Sequence, residues 1–221
     1  MKVKENGLIL KYVKNKTEII CELAVEQNGL ALQYICSEGQ TEKIYELAVK
    51  QNPYAIQFVK FQTNEICEIA VQQNPYALQH VKNQTDEMCK SAVQLNGWVL
   101  EFVKHQTYEI CKLAVERDGM AIKYVLNQAY EICKLAIEQD GYALQHIKNQ
   151  TEEICKLAVK KNGRALRYVK NQTYEICYLA VLQDGLALEF VCNDCRTNEI
   201  CKLAVQENKW AIHFLRGISI K

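Results

Sequence analysis

The stretch Thr151–Gln172 reads TEEICKLAVKKNGRALRYVKNQ, and Thr173 opens almost the same words again with TYEICYLAVLQDG. Anchored on its first residue, the phrase begins at Thr17, Thr41, Thr63, Thr85, Thr107, Ala129, Thr151, Thr173 and Thr197. The step is 22 residues except at two places where it is 24, in YICSEGQT before Thr41 and in FVCNDCRT before Thr197. A half-copy, NGLILKYVKNK, precedes the first anchor within residues 1–16. A period of this size is the mark of a solenoid, in which each unit shields its apolar face against its neighbours.

Counting from the threonine as position 1, apolar residues fill positions 4, 5, 7, 8 and 9, here Ile154, Cys155, Leu157, Ala158 and Val159. On an α-helix these cover an arc of about 200°, with polar residues crowded into the remainder. As a strand they would put apolar groups on both faces, so the pattern predicts a helix. The threonine is its N-cap, and the glutamates of the first turn face the positive end of the helix dipole. Positions 12 and 13 read Asn28-Gly29, Asn52-Pro53, Asn74-Pro75, Asn96-Gly97, Asp118-Gly119 and, last, Asn208-Lys209. A site that accepts proline does not need positive φ. It is the first turn of a second helix, capped by Asn or Asp, with Ala165, Leu166, Tyr168 and Val169 on one face. That helix is expected to run about eight residues, after a first one of about ten, and to stop where Asn171 takes a left-handed conformation. The spacing of Ile154, Leu157, Val159 and Asn162 also fits a leucine-rich repeat. Alanine at position 8 in all nine copies, the missing second leucine series, and Pro53 and Pro75 directly after the ladder asparagine count against it. The expected fold is a single all-α solenoid over residues 1–221, nine helix–turn–helix repeats after a half-repeat.

Composition agrees with a packed chain: 49% hydrophobic residues, two prolines, and a formal charge of +1 that draws the protein to neither nucleic acid nor an anionic membrane. No signal peptide or membrane span is visible, which points to a cytosol-like location and to eleven reduced cysteines. Eight of these, from Cys21 to Cys201, occupy position 5, with Tyr45 the exception. They lie within the apolar arc without histidine or carboxylate at ligand spacing, so they read as packing and not as a metal or redox ladder. Cys36, Cys192 and Cys195 sit at the insertions; CNDC has the spacing of half a metal or thiol site, with no second half.

Position 20 carries a lysine column, Lys14, Lys60, Lys82, Lys104, Lys148 and Lys170, ending in Arg216. A basic stripe suggests single-stranded nucleic acid. The glutamates at position 3, Glu65, Glu87, Glu109, Glu153 and Glu175, should offset it, and helix C-termini explain the lysines without a ligand. His80 and His146 stand where other copies have Tyr or Phe; with His105 and His213 they form no catalytic pattern. No nucleophile triad, P-loop or dinucleotide signature is present, and neither metal nor cofactor is expected. The columns that vary are more informative. Position 14 reads Leu30, Tyr54, Tyr76, Trp98, Met120, Tyr142, Arg164, Leu186 and Trp210. Tyr54, Tyr76, Trp98, Met120, Tyr142 and Trp210 form a candidate partner-binding edge, unless they simply cover the inter-helix turn. Tyr108, Tyr130 and Tyr174 at position 2 mark a second edge.

The phrase TEEICKLAVKKNG with ALRYVKNQ, repeated across the chain, resembles the tandem repeats of unknown function abundant in mimivirus-like giant viruses. The resemblance brings no catalytic residues. It implies a viral protein acting in host cytoplasm or carried in the particle. The reading that follows is a non-enzymatic scaffold for a protein partner. A virion structural part is the second reading and nucleic-acid binding the third. The tail RGISIK is expected to cap the stack, and its Ile218 and Ile220 to invite self-association.

Overall fold

The structure is a computed structural model and describes residues 2–215. Arg216, Ile218, Ile220 and the capping role expected of the tail lie outside the described residues. Among the described residues there are nine α-helices and no strand. They fall into two compact units, the first ending at Gln106 and the second beginning at Thr107.

In the first unit the half-repeat supplies a short 3-10 helix, Gly7–Tyr12, and four repeats follow. Their helices are α1 (Glu18–Gln27), α2 (Glu42–Gln51), α3 (Asn64–Gln73) and α4 (Asp86–Leu95). The second unit holds α5 (Tyr108–Arg117), α6 (Tyr130–Gln139), α7 (Glu152–Lys161), α8 (Tyr174–Gln183) and α9 (Asn198–Glu207). Each occupies positions 2–11, as the periodicity predicts, and the leucine-rich alternative falls with it. In each unit successive α-helices pack side by side and each touches its own 3-10 helix, and those with a preceding 3-10 helix in the same unit touch that one too. The chain is an all-α helical repeat of the solenoid class. The Thr Oγ1 accepts from the position-4 N–H in seven copies, for instance Ile154 N at 3.2 Å from Thr151. Ala129 has no such oxygen.

The second element differs from expectation. It is a six-residue 3-10 helix, such as Gly163–Tyr168, and not an α-helix of eight. It ends at an extended Val169, with φ −73° and ψ 118°, two residues before Asn171. Both ends are clamped. At the start, Asn162 caps twice: its N–H closes α7 on Ala158 O at 2.8 Å, and its Oδ1 accepts from Arg164 N at 3.1 Å. With φ near −149° and ψ near 110°, Asn162 turns the chain sharply between two helices, which is why the site takes only Asn or Asp. Six residues make two turns at three residues per turn but not two α turns.

The core is a set of columns. Positions 4, 5, 8, 9, 15 and 16 are buried almost throughout, and no polar or charged residue is buried among the described residues. Position 13 is glycine in most copies because it lies on the carbonyl of the next copy's position-8 alanine. A methyl on Gly119 would stand 2.7 Å from Ala136 O, and one on Gly141 2.8 Å from Ala158 O; Gly29 meets Ala48 and Gly163 meets Ala180 in the same way. The backbone at these glycines stays outside the left-handed region, so closeness and not φ demands them. Pro53 and Pro75, in place of glycine, are half-buried, whereas the glycines are buried.

Candidate functional site

The double cap at position 12 also places the candidate edge. Its side chain holds the N–H of position 14, as Asn52 Oδ1 does for Tyr54 at 3.0 Å, Asn96 for Trp98 at 3.0 Å and Asp140 for Tyr142 at 2.8 Å. The position-14 ring is thus thrown from the first turn of the 3-10 helix toward the next copy. In the first unit Tyr54 meets His80 edge-on, with centroids 5.9 Å apart at 81°, and Tyr76 meets Phe102 at 6.1 Å and 71°. Asn96 Nδ2 donates to the Tyr76 hydroxyl at 3.2 Å. Trp98 is half-buried. In the second unit Tyr142 meets Tyr168 at 6.0 Å and 88°, and Arg167 lies over Tyr168 and Phe190. Met120 is half-buried, while Trp210 is 60% exposed and stacks on His213 at 5.9 Å. Tyr54, Tyr76 and Tyr142 therefore pair with position 18 of the following copy and stay half-buried. Burial pushes the His80 and His146 imidazoles below their ordinary pKa, favouring neutral rings in the row.

The lysine column addresses the backbone. Lys104 Nζ donates to Val81 O at 2.9 Å and Lys82 O at 2.8 Å, and Lys170 Nζ to Lys148 O at 2.9 Å. These are carbonyls at the end of the preceding copy's 3-10 helix, as dipole complementation predicts. The position-3 glutamates in ion pairs use position-6 lysines instead: Glu87 with Lys90 at 2.9 Å, and Glu175 with Lys156 at 2.7 Å. On the second edge, Tyr108, Tyr130 and Tyr174 are exposed. The Tyr174 hydroxyl donates to Glu199 at 2.6 Å, which lifts its pKa to about 12.

The cysteine column sits under a glutamine ladder whose role the sequence did not announce. Gln150 at position 22 donates to Leu144 O at 3.2 Å in its own copy and to Tyr168 O at 3.0 Å in the next, and accepts from Lys170 N at 3.0 Å. Gln62, Gln84 and Gln128 repeat the pattern. The cysteine below donates weakly to the same amide, at 3.9 Å from Cys67 to Gln62 and 3.4 Å from Cys177 to Gln172. Burial raises these thiols, Cys67 and Cys89 to about 11. They are small protonated donors within the packing. The sequence assigns this glutamine no role, because its partners in the next copy lie 18 and 20 residues away. Exposed Phe61 and Leu126 were also passed over.

Among the described residues no group of three His, Cys, Asp or Glu side chains is arranged to hold a metal ion. No helix there is long and apolar enough to cross a membrane.

Residues 41–84 and 130–172 match the model of a domain of unknown function, DUF4116. The first match spans two consecutive repeats, those beginning at Thr41 and Thr63, and the second nearly all of those beginning at Ala129 and Thr151. The similarity is thus to the repeat pair itself. No curated protein and no solved structure matches the chain.

Proposed function

We propose that this chain is a non-enzymatic scaffold that binds another protein along its position-14 rings, in a giant virus and within host cytoplasm or the particle. The observation that carries the binding reading is the set of interlocked pairs Tyr54–His80, Tyr76–Phe102 and Tyr142–Tyr168. Each ring is fixed by its neighbour, so an incoming segment meets aromatic surface already ordered, at small entropic cost. The column is also where copies differ most, while the buried columns scarcely change. The viral setting rests on the resemblance of the repeat wording alone.

The test replaces Tyr54, Tyr76, Trp98 and Tyr142 together by serine and compares affinity capture with mass spectrometry from infected cells. Lost capture with unchanged helical circular dichroism is expected. Melted helices would assign the column to packing, and full capture by the folded variant would place binding elsewhere; either overturns the reading.

A further inference from the structure

The second insertion gathers three cysteines around one glutamine, two through their thiols and one through its N–H. Gln172 Oε1 accepts from Cys177 Sγ at 3.4 Å and from Cys192 N at 2.8 Å, and Gln172 O accepts from Cys195 Sγ at 3.7 Å. Cys192 caps and Cys195 ends a 3-10 turn, Asn193–Cys195, closed by Cys195 N donating to Cys192 O at 3.2 Å. An i to i+3 turn brings the Cα atoms within about 7 Å, the span a disulfide needs. Both residues are half-buried, hence reachable, while Cys177 is fully buried.

We propose that Cys192 and Cys195 are a thiol–disulfide site, oxidised to an intramolecular disulfide by a low-molecular-weight disulfide such as glutathione disulfide. The Cys192 thiolate attacks one glutathione sulfur; the S–S bond breaks and glutathione leaves as thiolate, giving a mixed disulfide. The Cys195 thiolate then attacks the Cys192 sulfur and expels the second glutathione. Two protein S–H bonds are lost and one S–S bond forms. Two electrons pass to glutathione disulfide, and the two protons go to the departing thiolates. Burial and the Cys192 thiol hold the Cys195 pKa above its ordinary value while Cys177 pulls it down, so the second step relies on the turn keeping the mixed disulfide beside a thiol with little thiolate. Cys177 is held protonated more strongly still and stays out of the exchange.

The first insertion supplies a control within the same chain. Cys36 opens the same turn, with φ −64° and ψ 158° against −65° and 158° for Cys192, but the fourth residue is Gly39. Cys36 is exposed and has no second thiol in its turn. Its turn offers no thiol to displace the glutathione and the neighbouring Cys21 is buried, so it stops at the mixed disulfide.

The full chain would be incubated with glutathione disulfide, alkylated, cleaved after Phe190 to separate Cys177 from the pair, and mapped by mass spectrometry. The expected result is a Cys192–Cys195 peptide lighter by two hydrogens without a glutathionyl adduct, beside a glutathionylated Cys36. Cys195→Ser should leave the adduct on Cys192, and Cys177→Ser should leave the disulfide in place. An adduct persisting on Cys192 of the unaltered chain would overturn the proposal. So would a Cys177–Cys195 bond, or a reduced pair beside a modified Cys36.

Discussion

The junctions with a 22-residue step and the two with a 24-residue step solve one problem with different residues. At a regular junction Gln150 spans two copies with one amide, and Cys155 sits beneath it at 3.9 Å. At the first long junction Gln40 donates to Ile35 O at 3.0 Å, within its own turn, and its Oε1 accepts from the hydroxyl of Tyr45 at 3.1 Å. Tyrosine here fills the cysteine site. At the second, Arg196 replaces the glutamine. Its guanidinium donates to Leu188 O at 2.8 Å, Val191 O at 2.9 Å and, in the next copy, Phe214 O at 2.7 Å, while its Nε stays buried without a partner. What persists is a planar donor group reaching the carbonyls that a 3-10 helix leaves open, with the side chain beneath it adjusted to fit.

Three measurements would break or sharpen this contrast. The largest effect is expected for Tyr45→Cys, which installs the residue the other eight copies carry. Tyr45 is buried, so the exchange opens a cavity and should cost about 3 kcal/mol in denaturant unfolding. A neutral result would make the tyrosine incidental to the insertion. Next, Gln150→Leu keeps the volume but strands three backbone groups, for a loss of about 2 kcal/mol, since partial exposure lets water replace some bonds. Gln40→Leu, which frees the Tyr45 hydroxyl but no main-chain group of the following copy, should cost about half as much by the same principle; equal costs would erase the distinction. The smallest effect is alkaline. The folded pKa of Cys67 and Cys89 lies near 11, above the ordinary 9.0, so the unfolded chain gives up these protons first. Their contribution is complete below pH 9 and falls as pH rises toward 11. Cys67→Ala with Cys89→Ala should flatten that decline in Tm; an unchanged slope would show that the regular thiols do not matter to it.

Much of this was legible in the letters. The α-helix at positions 2–11 follows from its apolar arc, and the Asn or Asp at position 12 announces a cap. The 3-10 helix was harder, because Ala165, Leu166 and Tyr168 suit either helix and only the spacing between the clamps Asn162 and Gln172 decides. The glutamine ladder was not legible, since an amide signals nothing until its distant carbonyls are placed. At the candidate edge the rings were readable as a row, but not their pairing with position 18, which depends on the rise between copies.

The glycine resting on an alanine carbonyl gives most successive copies the same main-chain contact, beside buried columns whose residues scarcely change. The surface a copy offers forward is the surface it receives behind. A cassette such as residues 151–172 is therefore expected to tolerate excision or duplication without recutting its neighbours within the unit.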